Sequence, residues 1–488
     1  MFSFLLNLIN KTKLVIMKTI KKSHVLYALV ILFFWSCSSD DDNSTPINQN
    51  PQTGLNIVQT AQDDANLSSL VAAVIEANLD VTLSGPGPFT VLAPTNEAFA
   101  EFLSENGWAT VADIPDEALE QTLLNHVISG TITSADLTSL GRGYTNTLAI
   151  GAGDNAMSLY YNTDSGVVFN NLSTVNTANL EATNGIIHVV DKVITLPSVV
   201  DHAVANADFS NLVAALGSAD GDLVNVLSGD GPFTVLAPNN DAFSTYLNGT
   251  DLADVPTDVL SQLLLNHVIS GELSSTVLMN LGSGYSNTNA TGAGSNPMSI
   301  YYTTDNGVMF NGLSTVLTAD IVGTNGIIHA VDSVIELPTL ATFATSNPAL
   351  SSLVAALQLA DTGTPTVPYI STLSDASSGP FTVFVPTNDA FADLLLELDP
   401  TGNTTLADVD PATVDAILTY HIVSSNVQSS QLISGTLSTL GGDIEVNTST
   451  FTLTDSNLRQ STIIPGLTDI QATNGVVHAI DKVILPPQ

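Results

Sequence analysis

One set of three short motifs occurs three times along this chain of 488 residues. In the first copy the motifs are GPFTVLAPTNEAF from Gly87, NHV from Asn125 and TNGIIHVVDKVI from Thr183. The corresponding motifs begin at Gly231, Asn266 and Thr324 in the second copy, and at Gly379, Tyr420 and Thr473 in the third. Phe89, Phe233 and Phe381 mark steps of 144 and 148 residues. Because solenoid repeats are only roughly 20 to 50 residues long, each copy is predicted to be a domain with its own core.

Taken together, the three motifs resemble the fasciclin adhesion domain in their order and spacing, over roughly residues 55 to 487. The resemblance implies an α/β (α+β) fold of three tandem domains, each a wedge of β-strands flanked by helices. It also implies a role in attachment between cells or between cells and matrix, an implication that rests on the family because fold alone does not establish function. The predicted domains are residues 55–197, 198–338 and 339–488.

The first 36 residues are typical of a secretory signal peptide. Lys18, Lys21 and Lys22 precede an apolar run from Val25 to Trp35, which is too short for a helix that crosses a bilayer, since that takes about 20 residues. Met17 is the predicted true start. We therefore expect the protein to be exported.

Cys37 is the only cysteine in the chain and stands where a bacterial lipoprotein signal places its acylated residue. The next residues resemble the acidic run that directs lipoproteins to the cell surface in the Bacteroidetes group: Ser38, Ser39, Asp40, Asp41 and Asp42. Residues 43–54 have the composition of a flexible tether. The prediction is an outer membrane lipoprotein exposed at the cell surface, and the alternative is an ordinary signal peptide with an incidental cysteine. No disulfide can form within the chain.

The charge of the chain limits its partners. All 47 acidic residues follow Cys37, whereas only four of the nine basic residues do, so this part of the chain carries a formal charge of −43. Such a charge repels nucleic acid and anionic membrane surfaces, so we expect membrane contact only through the lipid anchor. Weak binding of divalent cations is compatible with the acidic surface, but no calcium-binding motif is present.

Six of the eight histidines belong to the repeated motifs. Each copy has one histidine at the end of a predicted helix and one on its last strand. The helix histidines are His126, His267 and His421, and the strand histidines are His188, His329 and His478. Leu119 and Leu123 precede His126 by seven and three residues, so this histidine shares the apolar face of its helix. We interpret all six as buried, hydrogen-bonded side chains rather than zinc ligands, because no third ligand has a fixed spacing to them.

The other two motifs predict local structure. Phe89-Thr90-Val91-Leu92 suits a buried strand that Pro94 ends, with Thr95 or Asn96 as the cap of the following helix. Three Asn-Gly pairs predict two-residue hairpin turns, namely Asn184-Gly185, Asn325-Gly326 and Asn474-Gly475.

The resemblance also indicates candidate adhesion positions. In animal relatives, a Tyr-His pair in the helix motif and an Asp-Ile pair before the Asn-Gly turn have been associated with integrin binding. Three pairs here match those patterns: Tyr420-His421, Asp320-Ile321 and Asp469-Ile470. We treat them as candidate surface positions only.

No motif of a nucleophilic, metal-dependent or nucleotide-dependent enzyme follows Cys37. We therefore expect neither catalysis nor a cofactor. The leading hypothesis is cell adhesion or attachment to extracellular matrix or biofilm, with a surface or matrix protein or a polysaccharide as the partner. The alternatives are a binding module for a polysaccharide or a small apolar ligand, since some algal relatives carry pigments, and a structural spacer that binds nothing.

Overall fold

The computed structural model describes residues 54–487. The predicted signal peptide, Cys37, the run Ser38–Asp42 and nearly all of the tether lie outside the described residues. Within them, a similar series of helices and strands occurs three times.

Domain 1 begins with three helices and ends with the strand that carries His188. Its helices are α1 (Ile57–Asp63), α2 (Ser68–Glu76), α3 (Asp80–Ser84), α4 (Asn96–Glu105), α5 (Asp116–Leu124) and α6 (Ser134–Leu140). Its strands are β1 (Phe89–Pro94), β2 (Val127–Ser129), β3 (Arg142–Ile150), β4 (Ala156–Asn162), β5 (Val168–Phe169), β6 (Ser173–Ala182) and β7 (Gly185–Val190).

Domain 2 repeats this order. Its helices are α7 (Val199–Ala205), α8 (Ser210–Ser218), α9 (Leu223–Leu227), α10 (Asn240–Leu247), α11 (Thr257–Leu265) and α12 (Ser275–Leu281). Its strands are β8 (Phe233–Pro238), β9 (Val268–Ser270), β10 (Ser283–Thr291), β11 (Pro297–Thr303), β12 (Met309–Phe310), β13 (Ser314–Val322) and β14 (Gly326–Val331).

Domain 3 differs in its middle strands, where a short 3-10 turn (Ser429–Gln431) replaces the helix corresponding to α6. Its helices are α13 (Leu340–Ser346), α14 (Ser351–Asp361), α15 (Tyr369–Ser374), α16 (Asn388–Leu398) and α17 (Pro411–Thr419). Its strands are β15 (Phe381–Pro386), β16 (Ile422–Val423), β17 (Gly435–Ser438), β18 (Asp443–Asn447), β19 (Thr452–Thr454), β20 (Gln460–Thr462), β21 (Ile470–Ala472) and β22 (Gly475–Ile480).

The strand of the first motif lies at the centre of each domain. β1 pairs parallel with β7, where Phe89 is opposite Gly185, and antiparallel with β2. Strands β1 to β7 close into a barrel, as do β8 to β14. In domain 3 the strands instead form two four-stranded sheets, in the orders β16-β15-β22-β21 and β17-β18-β19-β20. The domains therefore have the predicted α+β class.

Both faces of β1 are buried, and because side chains alternate along a strand, successive residues enter different cores. Val91 and Ala93 face the helices and belong to a core that includes Leu70 and Phe99. Leu92 faces the barrel interior, in a second core. Each domain therefore has a helical core and a core within its strands.

Within residues 54–487, no single helix is long and apolar enough to cross a membrane. Two consecutive helical segments, Leu340–Ser346 and Pro348–Asp361, meet the criteria of length and composition together, and they are bent by 103° at the break. Their apolar side chains are part of the helical core of domain 3.

Domain 1 contacts domain 2 through hydrogen bonds from three parts of its strand region. Ser158 Oγ accepts a bond from the backbone N–H of Val322 at 3.0 Å. The backbone N–H of Ala152 donates to the carbonyl of Gly323 at 2.9 Å. Asn206 Nδ2 lies 3.3 Å from the hydroxyl of Tyr144.

The contact between domains 2 and 3 uses corresponding residues. Ser299 Oγ accepts a bond from the backbone N–H of Gln471 at 3.0 Å, and Asn347 Nδ2 donates to the Tyr285 hydroxyl at 3.1 Å. Ser299, Tyr285 and Asn347 each lie 141 residues after their counterparts in the first interface. One type of interface therefore joins all three domains.

Candidate functional site

The three histidines at the helix ends are buried and bonded at both ring nitrogens. His126 Nδ1 lies 2.7 Å from the carbonyl oxygen of Thr122, and its Nε2 accepts a bond from the backbone N–H of Ile194 at 2.9 Å. His267 and His421 repeat both contacts in their own domains. Burial lowers the pKa of each of these imidazoles to about 4. Each ring is therefore neutral and joins its helix to the segment that closes the domain.

In the three strand histidines the two ring nitrogens exchange roles, so that Nδ1 is the acceptor and Nε2 is the donor. His188 Nδ1 accepts a bond from the backbone N–H of Asn179 at 3.2 Å, and its Nε2 lies 2.9 Å from the carbonyl oxygen of Ile132. His329 and His478 have the same pair of contacts. Burial lowers the pKa of these three side chains as well.

These contacts determine what the repeated histidines can do chemically. A general base or a metal ligand needs a ring nitrogen with a free lone pair that faces substrate, metal or solvent. In all six rings the acceptor nitrogen is instead occupied by a backbone N–H. Across residues 54–487, no group of three or more His, Cys, Asp or Glu side chains could hold a metal ion. The histidine motifs therefore stabilise the fold.

The asparagine of each Asn-Gly pair joins the hairpin to the helices. Asn184 Oδ1 accepts the backbone N–H of Ile57 at 2.9 Å, and its Nδ2 donates to the carbonyls of Leu83 and Gly85, each at 2.8 Å. Asn325 and Asn474 make the corresponding three bonds. Sequence reasoning assigned these residues only to a turn. The presence of asparagine at this position in all three copies is the sequence signal from which a further role could have been inferred.

The predicted register of the turn is wrong by one residue in domains 1 and 3. Ala182 pairs with Gly185 and Ala472 with Gly475, so Thr-Asn, and not Asn-Gly, occupies the two central positions. Gly185 begins the closing strand with φ +151°, and a Cβ atom there would lie 2.0 Å from the carbonyl oxygen of Phe89. The glycine is required by the close approach of β1 to β7.

The aspartates of the two Asp-Ile pairs hold a neighbouring segment. Asp320 accepts bonds from the backbone N–H of Ser275 at 2.8 Å and from its hydroxyl, which fixes the start of α12. Asp469 contacts Ser429 in the same way. Their side chains are 34% and 36% exposed. Both are therefore partly accessible to a partner.

The other candidate adhesion positions are not on the surface. Tyr420, His421, Ile321 and Ile470 are all buried, so their prediction as surface positions is wrong. The two isoleucines belong to the helical cores of their domains, and the ring of Tyr420 lies in the strand core of domain 3. The motif pattern could not show this, because burial depends on which face of each strand meets the helices.

Most basic groups in residues 54–487 are paired with acids. Arg142 contacts Asp164 at 3.2 Å and Asp208 at 3.3 Å, which raises the pKa of its guanidinium. Lys192 pairs with Glu101, and Arg459 with Glu397 at 2.7 Å. This part of the chain has 44 acidic and four basic side chains, a formal charge of −40. Its surface is therefore suited to neutral or cationic partners.

The sequence model of the Fasciclin domain family matches residues 65–197, 207–338 and 348–486. The chain therefore belongs to the fasciclin domain family.

Several curated proteins are similar to this chain. Transforming growth factor-beta-induced protein ig-h3 of Sus scrofa is 28% identical over 446 residues, covering 88% of this chain and 58% of the relative. Periostin of Homo sapiens is 27% identical over 417 residues, covering 83% and 44%. The chain thus spans about half the length of these two relatives.

Cell surface glycolipoprotein MPB83 of Mycobacterium bovis is 34% identical over 149 residues, covering 30% of this chain and 60% of the relative. Among solved structures, a FAS1 domain pair from the insect cell adhesion molecule fasciclin I is 18% identical, with a TM-score of 0.33, covering 57% of this chain and 94% of that one.

Proposed function

We propose that this protein attaches cells to other cells or to extracellular matrix, including biofilm matrix, through its three fasciclin domains. The observation that carries the proposal is that the repeated histidines and hairpin asparagines bond to the protein's own backbone, while one type of interface joins the domains. Such a chain presents three related surfaces at set positions. Several weak contacts made together gain avidity, which suits attachment better than catalysis.

The family supports this assignment. MPB83 is named a cell surface glycolipoprotein. The partner class we propose is a cell-surface or matrix protein or a polysaccharide. Asp320 and Asp469 remain candidates for contact because they are partly exposed.

We further propose that the chain is exported and anchored in the outer membrane through an acyl group on Cys37, with Ser38–Asp42 directing it to the cell surface. The support is the sequence pattern of this segment, which lies outside the described residues. Feeding cells an alkyne fatty acid should label the protein, and C37S should abolish the label. Labelling that persists in C37S would contradict the anchor.

The main experiment measures adhesion directly. Beads coated with the chain from Cys37 onward are mixed with cells of the source organism and with its matrix polysaccharide, with and without calcium. Beads coated with an unrelated, equally acidic protein control for charge. We expect binding above that control, and its loss on chelation would indicate that calcium bridges the acidic surface to an acidic partner.

Beads that remain inert under every condition would contradict the adhesion proposal and favour a structural spacer. If adhesion is found, D320N and D469N test the two partly exposed aspartates. Each variant keeps a side-chain acceptor for the serine N–H, so a loss of adhesion with an unchanged melting temperature would assign contact to that carboxylate.

A further inference from the structure

Domain 3 contains an apolar cavity of about 190 Å³ between α14, α16, α17 and the C-terminal segment. Ala356 forms its floor and is fully buried, and Leu394 and Val414 form its walls. Leu398 and Pro487 also line it, and Leu398 is 58% exposed. We call this space the domain 3 cavity. It runs from the helical core to the surface.

The corresponding region of domain 1 holds two aromatic rings. Phe102 stands where α16 has Leu394, three residues after the phenylalanine shared by both motifs. Trp108, from the loop that follows α4, packs edge-on against Phe102 with ring centroids 5.6 Å apart. Domain 3 has neither ring. Its smaller leucine leaves space that the aromatic pair takes up in domain 1.

The loop after α16 cannot fill this space, because it is polar and bonded to itself. Residues 399–405 read DPTGNTT. The carboxylate of Asp399 accepts bonds from the backbone N–H groups of Thr401, Asn403 and Thr404. Its one apolar side chain, Pro400, is exposed and does not line the cavity, which therefore stays open.

The lining selects the chemistry of a ligand. Of the fourteen lining residues, Thr413 has the only polar side chain and none is charged. Dry apolar cavities of about 150 Å³ are large enough to bind benzene, so the domain 3 cavity accommodates about six to eight carbon atoms. The strongly acidic chain disfavours an anionic ligand.

We propose that the domain 3 cavity binds an uncharged alkyl chain of about six to eight carbons, such as the end of a neutral lipid or a free aliphatic alcohol. The cavity is too small for a pigment with a long polyene. This site is independent of the adhesion surface, so neither proposal depends on the other.

The test titrates the purified chain from Cys37 onward with 1-butanol, 1-hexanol, 1-octanol and 1-decanol by calorimetry. We expect one saturable site, with affinity rising about tenfold for each two carbons up to octanol, because each buried methylene contributes similarly. Decanol should bind only slightly more tightly than octanol, because an eight-carbon chain already fills the cavity. Octanoate tests the charge and should bind at least tenfold more weakly than octanol.

Three variants locate the site. L394F restores the ring that domain 1 carries, and it should weaken octanol binding at least tenfold. L398E places a charge at the exposed end, where folding is not at risk, and should weaken binding in the same way. L396F adds the same ring to the same helix at a position that is 52% exposed and outside the cavity, so it should bind like the parent chain.

The proposal is overturned if no alcohol binds saturably, if affinity continues to rise by the same factor to decanol, or if octanoate binds as well as octanol. It is also overturned if L398E binds octanol as tightly as the parent chain, because the ligand would then lie elsewhere.

Discussion

The side-chain oxygen of Asn184 accepts a hydrogen bond from the backbone N–H of Ile57 at 2.9 Å, across 127 residues of chain. The last hairpin of domain 1 is thereby tied to the start of its first helix. Because Ile57 is buried, water cannot replace this acceptor. The same bond joins Asn325 to Val199 and Asn474 to Leu340, so each domain closes on its own first helix.

Replacing Asn184 with alanine should destabilise domain 1 by about 2 to 4 kcal/mol, because it leaves a buried N–H and two carbonyls without partners. Trp108 packs on this domain's core, and Trp35, the other tryptophan, precedes Cys37. Urea unfolding of the chain from Cys37 onward, followed by tryptophan fluorescence, therefore reports domain 1. N66A, at an exposed position, should change the midpoint little. Equal effects of the two variants would contradict this role of Asn184.

Gly185 should tolerate no side chain, because its Cβ would overlap the carbonyl of Phe89. We expect G185A to destabilise domain 1 by more than about 4 kcal/mol or to prevent its folding. Gly166 is the matched control, since its φ is +100° but nothing lies within 4 Å of an added Cβ. G166A should cost only about 1 to 2 kcal/mol for the backbone conformation. Circular dichroism and the fluorescence transition distinguish these outcomes.

Domain 1 should lose stability as the pH falls from 6.5 to 4. Burial lowers the pKa of His126 to about 4 from 6.5, so between these values the unfolded chain binds a proton that the folded chain does not. The stability that neutral His126 contributes to the folded domain is fully present above pH 6.5. It is lost progressively as the pH falls to 4, by about 3 kcal/mol in all. Asp136, whose pKa is held below 3.8 by hydrogen bonds from Thr133, titrates below this window.

His126→Gln tests this assignment, because the glutamine amide offers a donor and an acceptor but does not titrate. The free energy of unfolding of the variant should depend less on pH between 4 and 6.5. Some dependence should remain, since burial also lowers the pKa of His188. A pH dependence identical to that of the parent chain would show that His126 does not supply the proton uptake.

Ser158 should protect the backbone N–H of Val322 from exchange with solvent, because that hydrogen bond crosses the interface between domains 1 and 2. In S158A we expect the Val322 amide to exchange at least tenfold faster, which corresponds to about 1.4 kcal/mol. Hydrogen exchange at single-residue resolution measures this. S165A, at an exposed position of the same domain, should leave the rate unchanged, and a similar acceleration in both variants would contradict a specific interface bond.

The sequence alone determined the family, the α+β class and the number of repeats, because these depend on motifs that recur at fixed spacing. It also predicted hydrogen-bonded, buried histidines, since the apolar residues before His126 place it on the core-facing side of a helix. The exact partners were not predictable, because Ile194 lies 68 residues away and no local pattern encodes that distance.

The tertiary structure decided which repeated residues are accessible. Tyr420 and Ile321 belong to motifs that predicted surface contact, yet they are buried because their strand and helix end pack inward. It also decided the interface pairs such as Ser158 with Val322 and the opening of the domain 3 cavity, where Leu394 replaces a ring. Local secondary structure depends on residues that are close in sequence, whereas burial, interfaces and cavities arise only when distant segments pack together.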